Sequence, residues 1–170
     1  LARIYTTRTP RGSEQNGVEY FFLSHQEFEK RIANDEFVEH AEVFGNYYGT
    51  LKSQLLDPVK NGYDVFLDID IQGAMQIREA CKKDQLLANV CEFIFIVPPS
   101  LQILEARLRG RATDSEEQLA LRIGKAKHEL SFANLYDYII VNDNLELAAE
   151  EMLSLISSFK LSTKRRQWEE

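Results

Sequence analysis

Apolar and polar positions follow two different periods along this chain, and the change of period falls at Val65–Gly73. The run Val65-Phe66-Leu67-Asp68-Ile69-Asp70 is β-type and gains two carboxylates at its far end. After Gln72-Gly73, residues Ala74, Ile77, Ala80 and Cys81 recur at helical spacing, which predicts a helix over about 74–87. The apolar run predicts a parallel strand buried on both faces. Ligands of open α/β sheets gather beyond the carboxyl ends of such strands. Asp68 and Asp70 are therefore candidates for binding or catalysis, the alternative being that they solvate a strand end or cap the next helix.

The remaining pattern is read the same way. Short strands are expected at Arg3–Thr7 and Tyr20–Leu23, separated by a loop that Pro10 and Gly12 interrupt. Ser24 with Glu27 forms a capping box ahead of a short helix with Phe28 and Ile32 on its apolar face. Phe37–Val43 alternates strictly, as an exposed strand does, and Gly45-Asn46 turns into Tyr47–Thr50. A helix is expected over Leu51–Lys60 and a second buried strand over Val90–Val97. Ser100 caps a helix at Leu101–Arg109. Thr113 with Glu116 opens a helix from about Ser115 to Phe132. Asp137–Val141 reads as a third apolar strand and Leu145–Phe159 as an amphipathic helix. Strands alternating with helices predict an α/β fold, a parallel sheet with helices on both faces. The stretch from about Ser13 to Thr50 departs from this and reads as an inserted β-rich lobe over the ligand edge. Neither repeats nor a linker divide the chain.

Composition narrows the function. The 170 residues suffice for one domain, and no apolar run reaches membrane-spanning length. A net charge of −7 argues against a nucleic-acid or anionic-membrane surface. Cys81 and Cys91 lack metal-type spacing and sit in apolar patterns, as buried thiols in a reducing compartment do. Against the acidic background, Arg3, Arg8 and Arg11 cluster early and Arg107, Arg109 and Arg111 later. Arginine groups of this kind suit small anion sites or, one by one, a solvated surface.

Arg8 and Arg11 flank a stiffening Thr-Pro, a spacing at which two guanidinium forks can grip a phosphate, with Tyr20 and Tyr48 as further donors. Glu39 shares the alternating face with apolar residues, where a carboxylate needs a partner. Guanine would supply one through N1–H and its 2-amino group; a salt bridge is the alternative. Thr50 is either a further hydrogen-bonding group or an N-cap. Arg107 and Arg111 share a face if their helix continues through Gly110, and Arg122 lies on the next helix. Three converging arginines would suit phosphoryl transfer; exposed helix positions are the alternative. His25, His40 and His128 show no nucleophile or metal pattern.

A resemblance extends this reading. Thr6-Thr7-Arg8-Thr9-Pro10-Arg11, Glu14-Gln15-Asn16-Gly17 with Tyr20, Glu39, Gly45-Asn46-Tyr47-Tyr48-Gly49-Thr50, Leu67-Asp68-Ile69-Asp70 with Gln72-Gly73, Pro98-Pro99-Ser100, Arg107-Leu108 with Gly110-Arg111, and Val141-Asn142-Asp143 resemble the guanylate kinase pattern in order and spacing. The resemblance implies a nucleoside monophosphate kinase fold. It would form one domain over 1–170, with a GMP-binding lobe at about 8–60, a helical lid at about 101–122 and a core. It implies Arg8, Arg11, Tyr20 and Tyr48 as GMP-phosphate ligands and Glu14 as the acid that holds the arginines. Glu39, Thr50 and Asp70 would read guanine. Asp68 would sit near magnesium and the phosphates, and Asn142 beside adenine. Arg107, Arg111 and Arg122 would be lid arginines that reach ATP and the transferred group.

The implied activity is transfer of the γ-phosphoryl group of ATP to GMP with Mg2+. The implied setting is the cytoplasm, with small-molecule substrates, no nucleic-acid or membrane partner, and scope for a homo-oligomer. The alternative is a non-catalytic guanylate-kinase-like module that binds proteins. Three departures stand out. No Gly-x-x-x-x-Gly-Lys-Ser/Thr occurs here, and with Leu1 as the first residue that phosphate loop is expected upstream of this sequence. A chain starting physically at Leu1 is therefore expected to be poorly stable and inactive. Ile4 stands where the family usually has a guanine-contacting serine. Ala112 replaces a lid glycine.

Overall fold

A computed structural model describes residues 2–110 and 116–165. The chain divides into two compact units, Leu1–Gln85 and Leu86–Glu170. Among the described residues, no helix is long and apolar enough to cross a membrane.

The first unit is built on a four-stranded sheet. Its strands are β1 (Tyr5–Thr6), β2 (Phe21–Phe22), β3 (Phe37–Val43) and β4 (Asn46–Leu51), in the order β2-β1-β4-β3. β3 and β4 form a hairpin whose turn, Phe44-Gly45, has positive φ at both residues (50° and 75°), the backbone that a tight two-residue turn requires. The alternation expected of Phe37–Val43 is present: Phe37, Glu39 and Ala41 face inward and are buried. An irregularity between Phe37 and Glu39 shifts the register, after which Glu39 opposes Thr50 and His40 opposes Gly49. Helix α1 (His25–Ala33) begins at the expected capping box, with Ser24 and Glu27 bonded reciprocally. It buries Phe28, which stacks on Phe37 and Tyr47 at 4.4 and 5.3 Å between ring centroids. Leu51 joins this aromatic core. Helix α2 (Lys52–Lys60) follows directly, and helix α3 (Ile71–Cys81) packs on β3.

Val65–Asp70 differs from the expectation. It forms no strand, and Phe66 is exposed. A β-type run becomes a strand only where neighbours accept and donate along it. Here the Ala2 N–H donates to the Phe66 carbonyl at 2.9 Å, and the Asp70 carbonyl accepts from the Ala74 N–H of the following helix. The helix that follows also ends earlier than its periodicity predicts, at Cys81 rather than Leu87, with Lys82–Asp84 as a break.

The second unit contains α4 (Gln85–Val90), which starts at the unit boundary, then β5 (Ile94–Val97), α5 (Leu101–Gly110), α6 (Glu116–Leu130), β6 (Tyr138–Val141) and α7 (Leu145–Phe159). The expected strand Val90–Val97 is thus confined to its second half. β5 and β6 pair in parallel, from Ile94 opposite Tyr138 to Val97 opposite Val141. A parallel pair needs a long crossover, which α5 and α6 supply. Ser100 Oγ accepts from the Ile103 N–H at 3.2 Å and starts α5 as expected. Asn144 caps α7, accepting from the backbone of Glu146 and Leu147, and α7 has the predicted bounds. Thr113 and Ser115 lie outside the described residues, as do Arg111 and Ala112.

Candidate functional site

The first unit contains a cavity of about 200 Å³. A benzene ring binds in a cavity of roughly 150 Å³, so there is room here for a planar heterocycle. Glu39, Asp68 and Asp70 supply its acids, Tyr20 and Tyr48 its phenols, and Ile4, Ala41, Val43 and Ile69 its apolar wall.

Glu39 is only 4 % exposed. Burial pushes its carboxyl above the ordinary range, and Asp70 adds to the rise by repulsion. Thr50, its cross-strand neighbour, partly offsets this through its hydroxyl and backbone N–H. Thr50 Oγ1 is buried and completes no hydrogen bond of normal geometry. A buried carboxylate and a buried hydroxyl with bonding capacity to spare describe a recognition surface better than a finished core.

Asp70 satisfies both readings that its position allows. It caps α3, with Oδ1 accepting from the Gly73 N–H at 3.1 Å, and its side chain also lines the cavity. Gly73 is where backbone and site meet most closely. A Cβ there would lie 2.7 Å from Glu39 Oε2.

Behind Tyr20 lies a preset cation. Arg8 is 8 % exposed. It donates to Glu14 Oε1 at 2.9 Å and to the Thr9 carbonyl at 2.8 Å. Its guanidinium carbon sits 5.2 Å from the Tyr20 ring centre and 5.9 Å from that of Phe22, a cation–π arrangement. The bond to Glu14 raises the Arg8 pKa against the cost of desolvation, with smaller help from Tyr48. In turn Arg8, then the Arg11 N–H at 2.7 Å, hold the Glu14 carboxyl below the usual range. Buried Thr6 supports the loop, its Oγ1 accepting from the Arg8 N–H at 3.1 Å and donating to the Tyr47 carbonyl at 2.9 Å. The Arg11 side chain is exposed.

In the second unit, Arg107 and Asn142 come together, but through the backbone. Arg107 donates to the carbonyls of Asn142 (2.6 Å) and Asp143 (3.1 Å), joining α5 to the end of β6. Arg122 is exposed on α6. Arg109 bridges Glu105 and Glu116 at 3.0 and 2.6 Å, tying α5 to α6.

Comparisons with known proteins give the family of this chain. The family model described as Guanylate kinase matches residues 4–159. The chain belongs to the guanylate kinase family. It is 45% identical over 162 residues to the guanylate kinase of Neisseria gonorrhoeae, covering 95% of this chain and 76% of that one. It is 45% identical over 163 residues to that of Escherichia coli, covering 96% and 75%. It shares its fold with the crystal structure of guanylate kinase from Anaplasma phagocytophilum, with a TM-score of 0.79 at 35% identity, over 96% of this chain and 77% of that one. The fold is thus the α/β fold expected of the family.

Three features of the site carry no role in the sequence reading. Phe22 forms the second face over Arg8. Gly73 makes room for Glu39. Gln76, on the same face of α3, bonds the β3 backbone at His40. The i,i+3 spacing of Gly73 and Gln76 after Asp70 was the available signal.

Proposed function

We propose that this guanylate kinase family member transfers the γ-phosphoryl group of ATP to GMP, giving ADP and GDP, in the cytoplasm. The carrying observation is the buried Glu39 in a cavity with Asp70 beside it and a hydroxyl to spare at Thr50. A base offering two adjacent N–H donors would relieve both acids; guanine does so through N1–H and the 2-amino group, and adenine has no such pair there. Ile4 adds an apolar side chain to the cavity lining, so the acids carry the discrimination.

The GMP phosphate would meet Arg8, Arg11, Tyr20 and Tyr48. Arg8 has five N–H donors on a planar fork, and Glu14 keeps that fork aimed. The exposed Arg11 would close on the phosphate from solvent. In the second unit, Arg107, Arg111 and Arg122 would stabilise charge on the transferred group and on ATP, and Asn142 would lie beside adenine. The reaction is in-line displacement governed by positioning and charge, with no covalent enzyme intermediate. As for domains, residues 8–60 would serve as the GMP lobe, 101–122 as the lid and the remainder as core.

Among the described residues, no three His, Cys, Asp or Glu side chains converge as a metal site. Mg2+ is commonly held by one or two carboxylates, waters and the substrate's own phosphates. Asp68 on the cavity wall fits an indirect partner of this kind. Bound there, the ion would neutralise phosphate charge.

A coupled assay for ADP release, run on the full protein with each nucleoside monophosphate in turn, tests the reading. Turnover with GMP far above that with AMP is expected. Equal turnover with both would overturn it.

A further inference from the structure

β3 is the edge strand of the four-stranded sheet, so among the described residues its outward backbone groups face no strand. At His40 a side chain meets them. The His40 N–H donates to Gln76 Oε1 at 3.0 Å, and Gln76 Nε2 donates to the His40 carbonyl at 2.7 Å. A primary amide in this pose reproduces the pair of bonds that a neighbouring antiparallel strand exchanges at one residue.

The residue so clamped is next to Glu39. Just before it, between Phe37 and Glu39, the β3–β4 register shifts, so the ladder alone holds this stretch less firmly. One turn back along α3 from Gln76, Gly73 lies beneath the Glu39 carboxylate, where a Cβ would intrude to 2.7 Å. One helix therefore grips the Glu39 segment by its backbone and shapes the space under its carboxylate. The same helix is capped by Asp70, the neighbouring acid of the cavity.

We propose that Gln76 is a positioning residue for base recognition: by standing in for a missing strand at His40, it aims Glu39 at the guanine edge and fixes its distance from Asp70. The proposal rests on the reading of this site as the GMP site. A residue that merely closes a sheet edge would affect stability alone; one that aims Glu39 sets selectivity.

Gln76→Met removes both bonds at similar length. Gln76→Glu keeps an acceptor for the His40 N–H and loses the donor to the carbonyl. In the full protein, Gln76→Met is expected to raise the KM for GMP about tenfold, within the roughly 100-fold that a 1 Å misplacement can cost. The KM for ATP should hold. The kcat/KM preference for GMP over IMP, which lacks the 2-amino donor, should fall, and Gln76→Glu should lie between. In a Glu39→Gln background, Gln76→Met should add little further loss of GMP affinity. If Gln76→Met does not fold, Gln76→Glu carries the same measurements. An unchanged GMP/IMP preference, or losses that simply add to those of Glu39→Gln, would overturn the role of Gln76 while leaving the GMP site intact. A wild-type protein that neither binds nor phosphorylates GMP would overturn the underlying reading as well.

Discussion

In the first unit Arg8 and Glu39 are 8 % and 4 % exposed, and with Thr6 and Thr50 they are the buried polar residues of the described chain. In the second unit the arginine side chains of Arg107 and Arg109 remain 43% and 48% exposed, bound to backbone carbonyls and to carboxylates in water. Burying a charge is costly unless its partners are in place beforehand. The first unit meets that condition with Glu14 for Arg8, and leaves it partly unmet for Glu39. The second unit keeps Arg107 and Arg109 hydrated, where a change of partner costs little. Such a division fits a reaction in which one substrate is selected by shape and hydrogen bonding and charge is stabilised later, by groups that must move. On the proposed reading, selectivity would be built into desolvated geometry, and charge stabilisation left to hydrated side chains that can be re-aimed.

The largest expected effect tests the second half of this comparison. Arg111→Met should lower kcat by about 10³-fold or more, the scale of an arginine that acts on the transition state in phosphoryl transfer. GMP affinity should barely change. Steady-state kinetics with both substrates decide it. A change confined to the KM for GMP would move Arg111 to the selective half.

Glu39→Gln tests the first half. The amide replaces an acceptor oxygen with a donor facing the guanine donors, so GMP binding should weaken by about 1–3 kcal/mol, read by titration calorimetry. Unchanged affinity would make Glu39 a structural residue. A smaller effect is expected of Gly73→Ala. The added Cβ would meet the far end of the Glu39 side chain first, which can swing away, so stability should fall little. GMP affinity should drop by roughly tenfold, because the carboxylate leaves its place. A large loss of melting temperature with intact GMP affinity would show that the close approach serves packing instead.

Legibility in the sequence follows the range of the interaction. Local signals were sound: the Ser24–Glu27 box, Ser100 and the full span of α7 are set by bonds within a few residues. Glu39 was also legible, since a carboxylate in an apolar phase of a strand contradicts its own pattern. Val65–Asp70 has a strand's sequence and forms none, because ladder pairing depends on neighbours that its own residues do not encode. Arg107 was legible as a cation, but its grip on the Asn142 and Asp143 carbonyls joins positions 35 and 36 residues apart, which no spacing rule reports. Gln76 was missed for the same reason: an amide on a helix carries no mark of the strand edge it will meet.

The finest test of the comparison lies in pH. Burial, reinforced by Asp70, raises the Glu39 pKa above the ordinary 4.5. Below that value both folded and unfolded chains hold the proton, and Glu39 costs the native state nothing. As pH rises, the unfolded chain releases its proton first, so native stability falls until the raised folded pKa is passed, and the loss is constant above it. Glu39→Gln carries no such penalty. Its melting temperature should therefore gain on the wild type as pH climbs through that window, the reverse of its effect on GMP binding. Binding has a matching signature. The ionised carboxylate accepts from guanine, so in the same window GMP should expel a proton from Glu39, and affinity should rise with pH. The phosphate of GMP also titrates, near about pH 6, and Glu39→Gln supplies the baseline for that contribution. Calorimetry in buffers of different ionisation heat counts the protons. A release in the wild type that exceeds that of the variant places the displaced proton on Glu39. Identical counts in the two proteins would mean that the carboxyl does not change state on binding, and that the first unit selects its ligand without drawing on its buried acid.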